Sequence, residues 1–156
     1  MKLLFKQRIF SWFDSYDIYD ENGETIFQVE GQLSWGHKLL IYDSMHQQIG
    51  EVKEEVLTLL PKFILYDHDM QIGKIEKEFT FFRPKFHLTC NDWRVEGDFM
   101  EWDYTVCNDT RIIMQASKEL FHFSDTYVMD IEREEDALLC LMIVLAIDAA
   151  KCSKGD

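Results

Sequence analysis

The chain has 156 residues, 47% of them apolar, with 29 Asp and Glu against 16 Lys and Arg for a formal charge of -13. That is one domain's worth of chain with enough apolar material for a sizeable core, which excludes wholesale disorder. The acidic surplus argues against a duplex nucleic-acid binder, which needs cations to displace phosphate counterions, and against simple electrostatic docking on an anionic membrane.

The chain opens Met1-Lys2-Leu3-Leu4-Phe5-Lys6-Gln7-Arg8. Lys6 and Arg8 interrupt the apolar residues before the core of a secretory signal can form, so none is expected. With 2 prolines and 7 glycines there is little room for a long linker, and a single domain over 1–156 is expected. Cys90, Cys107, Cys140 and Cys152 contain no CxxC pair. They read as reduced thiols of a cytoplasmic protein, with a Cys90–Cys107 bridge left open by the spacing.

The first half repeats one pattern. Ile18-Tyr19-Asp20 leads through a turn to Ile26 and Val29; Ile41-Tyr42-Asp43 leads to Ile49-Gly50 and Val52; Leu65-Tyr66-Asp67 leads to Ile72-Gly73 and Ile75. Units this short are strand, tight turn, strand. The Asp supplies local backbone hydrogen bonds as the chain leaves the strand, and Asn22-Gly23 predicts a two-residue hairpin turn. Pro84 fits a strand edge or a loop.

The second half alternates more cleanly. Trp93, Val95, Gly97 and Phe99 face opposite Arg94, Glu96 and Asp98; Trp102, Tyr104 and Val106 face opposite Asp103 and Thr105. Ile112, Met114 and Ala116 oppose Arg111, Ile113 and Gln115, and Phe121 and Phe123 bracket His122. Period two with one polar face describes half-buried antiparallel strands, about ten to twelve over the chain, at the spacing of a sandwich or barrel.

Residues 134–152 break this rhythm. Glu132, Glu134, Glu135 and Asp136 suit a helix N-terminus, and an apolar run follows from Ala137 to Ile147. A helix apolar around its whole circumference is buried on all sides. Eleven residues span only about 16 Å, roughly half a bilayer's hydrocarbon thickness. The run therefore predicts a core helix, and in a mostly β chain the place with apolar walls all round is a barrel interior.

The residues that carry a family resemblance are Tyr16-Asp17-Ile18-Tyr19-Asp20-Glu21-Asn22-Gly23 with Phe27-Gln28-Val29-Glu30-Gly31, then Trp93-Arg94-Val95-Glu96-Gly97-Asp98-Phe99 and Trp102-Asp103-Tyr104. Ser117-Lys118, Asp125-Thr126-Tyr127 and Ala146-Ile147-Asp148 follow in order. In these the chain resembles the LURP-one-related family, which belongs with tubby C-terminal domains and phospholipid scramblases. The resemblance implies a mainly β fold, a closed antiparallel barrel of twelve strands around one hydrophobic C-terminal helix. It also brings two site chemistries to test: tubby domains bind phosphoinositides through basic residues, and scramblases are associated with calcium.

Neither chemistry is well supplied. The cations come in small groups, Lys2, Lys6 and Arg8, then Lys74 and Lys77, then Arg83 and Lys85, and read as solvated charge. Asp125, Asp130, Glu132, Glu134, Glu135 and Asp136 lack the glycine bend of a calcium loop, so no metal is expected. His37, His46, His68, His87 and His122 are scattered without metal spacing. Asp98, Glu101 and Asp103 read as surface acids, and no nucleophile or phosphate motif is present. The aromatics read as barrel wall and core.

The expected function is thus a non-enzymatic tubby-like binding or scaffold module without a cofactor, its partner a lipid headgroup or another protein. The alternative is a scramblase-like protein whose C-terminal helix enters the bilayer; stable insertion is not expected. Leu141→Asp or Val144→Asp should abolish soluble folding, removal of the residues after Asp130 should cause aggregation, and Lys154→Ala should change little.

Overall fold

A computed structural model describes residues 1–6, 15–121 and 124–152. Its strands are β1 (Lys2–Lys6), β2 (Ser15–Tyr19), β3 (Thr25–Ser34), β4 (Gly36–Tyr42), β5 (Gln48–Glu54) and β6 (Lys62–Asp67), then β7 (Met70–Glu78), β8 (Lys85–Leu88), β9 (Arg94–Asp98), β10 (Asp103–Cys107), β11 (Ile112–Phe121) and β12 (Ser124–Ile131). A 3-10 turn at Glu134–Asp136 leads into α1 (Ala137–Cys152). Arg8, His122, Phe123 and Lys154 lie outside the described residues.

The sheet order is β8-β7-β6-β5-β4-β3-β2-β1-β12-β11-β10-β9. Neighbours are consecutive in the chain except for β1 and β12, which pair from Lys2↔Asp130 to Lys6↔Thr126. The fold is an antiparallel up-and-down meander joined through its chain ends and wrapped around α1. The expected closed barrel is in fact nearly closed, because β8 and β9 are the two edges of the sheet. The reason lies in the segment linking them. Thr89 stays bonded to β7, its N–H donating to the Lys74 carbonyl at 2.9 Å, while Cys90 and Trp93 turn into the core. The link is drawn inward instead of turning as a hairpin. Both edges are short and carry exposed Lys85, His87, Arg94 and Glu96, which discourages pairing with other chains.

The repeat in the first half is a bulged hairpin. Register shifts fall at Ile18/Tyr19, Ile41/Tyr42 and Leu65/Tyr66, the same place in each unit. The unpaired residue on the facing strand is Ile26, Ile49 or Ile72, and all three pack against the core. A bulge sharpens twist and lets the sheet curl, which a wall this wide needs in order to wrap. Asp20 Oδ1 accepts from the N–H groups of Asn22 and Glu24, and Asp43 Oδ1 from those of Met45 and Gln47. The Asn22-Gly23 connection therefore spans five residues, 20–24, instead of two, because Asp20 builds the turn. A two-residue connection occurs in the third unit at His68-Asp69, with His68 at φ 54°.

A fourth bulge corrects the alternation expected in β11. Val106 pairs with Met114 and Cys107 with Ile112, so Ile113 is the extra residue. Ile113 is wholly buried, and Ile112 is 60% exposed instead of facing the core with Met114.

Inward residues of the wall, among them Leu3, Ile18, Val29, Ile41, Leu65, Ile75, Val106 and Met129, share one core with α1. Between Ala137 and Ile147 only Leu138 and Leu139 are partly exposed. The helix runs so close to β5 that a Cβ on Gly50 would stand 3.2 Å from Leu138 Cδ1. The acids expected in the first helical turn instead precede it, in residues 132–136. Glu132 and Asp136 accept from Arg111 at 2.8 and 2.9 Å, so an ion-pair cluster holds them at the entry to the helix.

Candidate functional site

In an up-and-down meander successive connections lie at alternate ends of the barrel. One end holds the connections 20–24, 43–47, 68–69, 89–93, 108–111 and 132–136, where α1 begins. These carry eleven carboxylates (Asp20, Glu21, Glu24, Asp43, Asp69, Asp92, Asp109, Glu132, Glu134, Glu135, Asp136) against Arg111 and Arg133. Their apolar residues are Met45, Cys90 and Trp93. The opposite end, where α1 finishes, holds, among the described residues, residue 35 and the connections 55–61, 79–84 and 99–102. Eleven of those eighteen residues are apolar: Trp35, Val56, Leu57, Leu59, Leu60, Phe79, Phe81, Phe82, Phe99, Met100 and Trp102. Their charged residues are Glu55, Arg83 and Glu101.

Most of this apolar material stands in water. Trp35 is 90% exposed, Leu57 and Leu59 completely so, Phe81 86% and Phe82 98%. Phe79, Met100 and Val56 are exposed too, while Phe99 and Trp102 are buried. At the acidic end the exposed large apolar residues are Met1, Met45, Met70 and Ile112, with no aromatic among them.

The apolar tips adjoin one another. Gly36, at φ 86°, lies so near the 55–61 connection that a Cβ there would meet Val56 Cγ1 at 2.7 Å, so the β3–β4 turn packs directly on its neighbour. Lys77 N–H donates to the Pro61 carbonyl at 2.9 Å, tying that connection to the end of β7. Leu60 and residues 77–84 line one cleft of about 260 Å³. Phe79 and Phe81 meet edge to face at 5.4 Å, and Thr80 Oγ1 donates to the Arg83 carbonyl, bracing the loop from within. Leu57 sits at φ 62°. For a bulky side chain that conformation costs roughly 1–2 kcal/mol, so the backbone is strained where it projects leucine into solvent.

Beside the exposed tips the barrel mouth is plugged. Trp102, also left-handed at φ 54°, packs at 4.4 Å from the Tyr127 ring and 5.9 Å from Phe5. Lys151, in the last turn of α1, donates to the Phe99 carbonyl at 2.9 Å and lies 5.5 Å from the Trp102 ring. A cation there also suits the helix dipole. Beneath the plug, Tyr104 is buried and its hydroxyl finds no hydrogen-bond partner among the described residues. Burial, with Asp148 adding to it, raises that phenol well above its ordinary range.

A model of the LURP-one-related family matches residues 1–148. The chain belongs to that family. An uncharacterised protein of Bacillus subtilis (strain 168), YxjI, is 29% identical over 149 residues, covering 95% of this chain and 92% of its own. An X-ray structure of a protein from Arabidopsis thaliana aligns with a TM-score of 0.61 at 15% identity, covering 95% of this chain and 91% of that one. At that identity it shows the shared fold.

In this LURP-one-related barrel the cations singled out in the sequence do not form one group. Lys2 starts β1 at the acidic end and Lys6 finishes it at the other. Lys74 lies mid-strand in β7, whereas Lys77, near the end of that strand, lines the rim cleft with Arg83 and stands at the apolar end with Lys6 and Lys85. The acids after β11 are likewise divided. Glu132 and Asp136 serve Arg111, Glu134 and Glu135 point to solvent, and no group of three potential metal ligands converges among the described residues. The side chain of Asp125 lies outside the described set.

The histidines sit apart. His37 pairs with Glu54 at 2.8 Å, His46 stacks on Tyr42, His68 pairs with Asp67 at 2.6 Å and His87 is exposed on β8. Asp98 and Asp103 are register partners across the β9–β10 hairpin; Asp98 accepts the Glu101 N–H at 3.3 Å, and Asp103 accepts from Gln115. They brace a turn. Cys90, Cys107 and Cys140 are free and buried. Burial pushes the Cys90 thiol up to about 11 and that of Cys140 higher still, so neither is a ready nucleophile. The aromatics read as wall and core divide in two: Phe5, Phe63, Phe86 and Phe99 are core, whereas Trp35, Phe79, Phe81 and Phe82 are exposed tips. The available signal was Phe79-Thr80-Phe81-Phe82-Arg83-Pro84, aromatic residues running into a proline that cannot sit inside a sheet.

Proposed function

We propose that this LURP-one-related protein is a non-enzymatic binding module of the reducing cytoplasm that meets its partner through the apolar end of the barrel. The observation that carries the reading is the segregation of exposed aromatic and leucine tips to one end, with carboxylates at the other. Contiguous exposed apolar surface marks interaction sites in soluble domains. The scramblase-like alternative would draw α1 out of the wall, exposing buried side chains worth roughly 1.5–3 kcal/mol each. No helix among the described residues is long and apolar enough to cross a membrane.

A photo-reactive phenylalanine analogue tests the reading from two positions in cells. Placed at Phe81 it should cross-link a partner; placed at Met45, also exposed but at the acidic end, it should not. Equal capture from both positions, or capture from neither, rules the apolar end out as the docking surface.

A further inference from the structure

We infer that the partner of the apolar end is the interface of a lipid bilayer, met end-on by the tips of the 55–61 and 79–84 connections together with Trp35, while α1 stays inside the barrel. This rests on the binding reading above and names its ligand. Three features favour a bilayer over a folded protein. The apolar side chains protrude from the crests of adjoining turns, with Leu57, Leu59 and Phe82 essentially wholly exposed. A folded partner would need a concavity matched to each tip, whereas an acyl-headgroup boundary accepts separate protruding side chains. The residue types are those of interfacial anchors: Trp and Phe on leucine-bearing tips, with Arg83 and Lys85 exposed at the rim. Leu57 is held outward at φ 62°. The fold carries this strain while leaving the leucine in water, so an apolar phase that covers it would add burial the isolated protein lacks.

Charge decides the mode of binding. Among the described residues of the apolar end, counting strand ends as well as connections, Lys53, Lys62, Lys77, Arg83 and Lys85 are roughly balanced by Glu54, Glu55, Glu78, Asp98, Glu101 and Asp103, so net ionic attraction to headgroups contributes little there. The eleven carboxylates of the other end stand a strand's length away, roughly 20 Å. Screening reaches only about 8 Å at physiological ionic strength but about 30 Å at 0.01 M. The far acids are therefore silent in ordinary salt and repel an anionic surface when salt is removed. Attachment to a neutral bilayer is insensitive to salt, and attachment to an anionic bilayer strengthens as salt rises. A protein held by basic residues on lipid headgroups shows the opposite slope.

Sedimentation with vesicles of phosphatidylcholine, and of phosphatidylcholine with phosphatidylserine, tests this across low and high salt. The expected result is binding to both, with the salt behaviour just described, and a blue shift of tryptophan emission that is lost in Trp35→Phe. Phe81→Ser with Phe82→Ser should lower partitioning at least about tenfold, since two phenylalanines leave the apolar phase. Met45→Ser with Met70→Ser, at the acidic end, should stay within about twofold. Quenching by brominated acyl chains that is present in the parent, with its four tryptophans, and lost in Trp35→Phe gives the same answer if the serine variant folds poorly. No partitioning into either vesicle overturns the inference, as does binding that falls with salt or that survives the Phe81/Phe82 changes. If vesicles fail while the Phe81 cross-linker captures a protein or a second copy of this chain, the lipid inference falls and the apolar-end reading stands. If the cross-linker distinguishes neither end, both fall.

Discussion

Two stretches of this chain are similarly rich in large apolar residues and meet opposite fates. Ala137 to Ile147 lies in the centre of the barrel, almost every side chain out of water. Val56 to Leu60 and Phe79 to Phe82 lie on its rim, most of their large side chains in water. The helix satisfies its backbone internally, so it can be enclosed by an apolar wall without leaving polar groups unpaired. A connection between two strands cannot, and its backbone must stay near solvent whatever its side chains prefer. Apolar residues in a turn are therefore held out unless another body covers them, and the same composition reads as core in one place and as contact surface in the other.

The largest expected effect tests the enclosed side. Leu141→Asp or Val144→Asp puts an unpaired charge where the native side chain is no more than 1% exposed, and should leave no soluble folded protein in an expression and sedimentation assay. Truncation after Asp130 removes α1 altogether and should yield aggregate. A monomeric product with the native circular dichroism would break the contrast at its root. Titration gives a smaller effect. The Cys90 thiol, raised by burial to about 11, stays protonated when the unfolded thiol has already ionised. Its contribution is complete below the unfolded value near 9 and is lost as pH rises through the folded value, by roughly 2–3 kcal/mol. Chemical denaturation across that window should show a flatter decline in Cys90→Ala than in the parent.

Around 1 kcal/mol, two changes act in the stabilising direction, one in the core and one on the rim. Tyr104→Phe removes a buried hydroxyl with no partner among the described residues and should raise the melting temperature slightly. Leu57→Gly relieves the left-handed backbone at a rim tip and should do the same, while weakening vesicle attachment. Smallest of all, Phe81→Ser with Phe82→Ser should shift unfolding free energy by no more than about 0.5 kcal/mol, because exposed side chains contribute little to folding. A loss of several kcal/mol there would show that the rim is structural after all.

Much of the wall was legible in local patterns. The three Tyr-Asp units marked real hairpins, and Asp20 and Asp43 play the part expected of them. The periodicity carried no warning of the bulges. An extra residue such as Ile113 leaves the same apolar letters in the same order while turning Ile112 to solvent. The candidate site was less legible. Phe79-Thr80-Phe81-Phe82 looks like strand material, and nothing nearby says that Trp35 or Leu57 belongs to the same surface. Their convergence depends on which turns fall at one end of the meander, a fact about strand count and pairing order.

Local chemistry along the chain was enough for the antiparallel strands and the enclosed helix, because alternation, turn residues and an apolar run too short for a bilayer are each properties of neighbours in sequence; the family was legible through the resemblance of its ordered segments. The nearly closed seam at β8 and β9, the separation of acidic from apolar ends and the exposed apolar rim were decided by tertiary structure. They arise from pairing between residues as far apart as Lys2 and Asp130, and contacts at that range leave no periodic trace in the order of the amino acids.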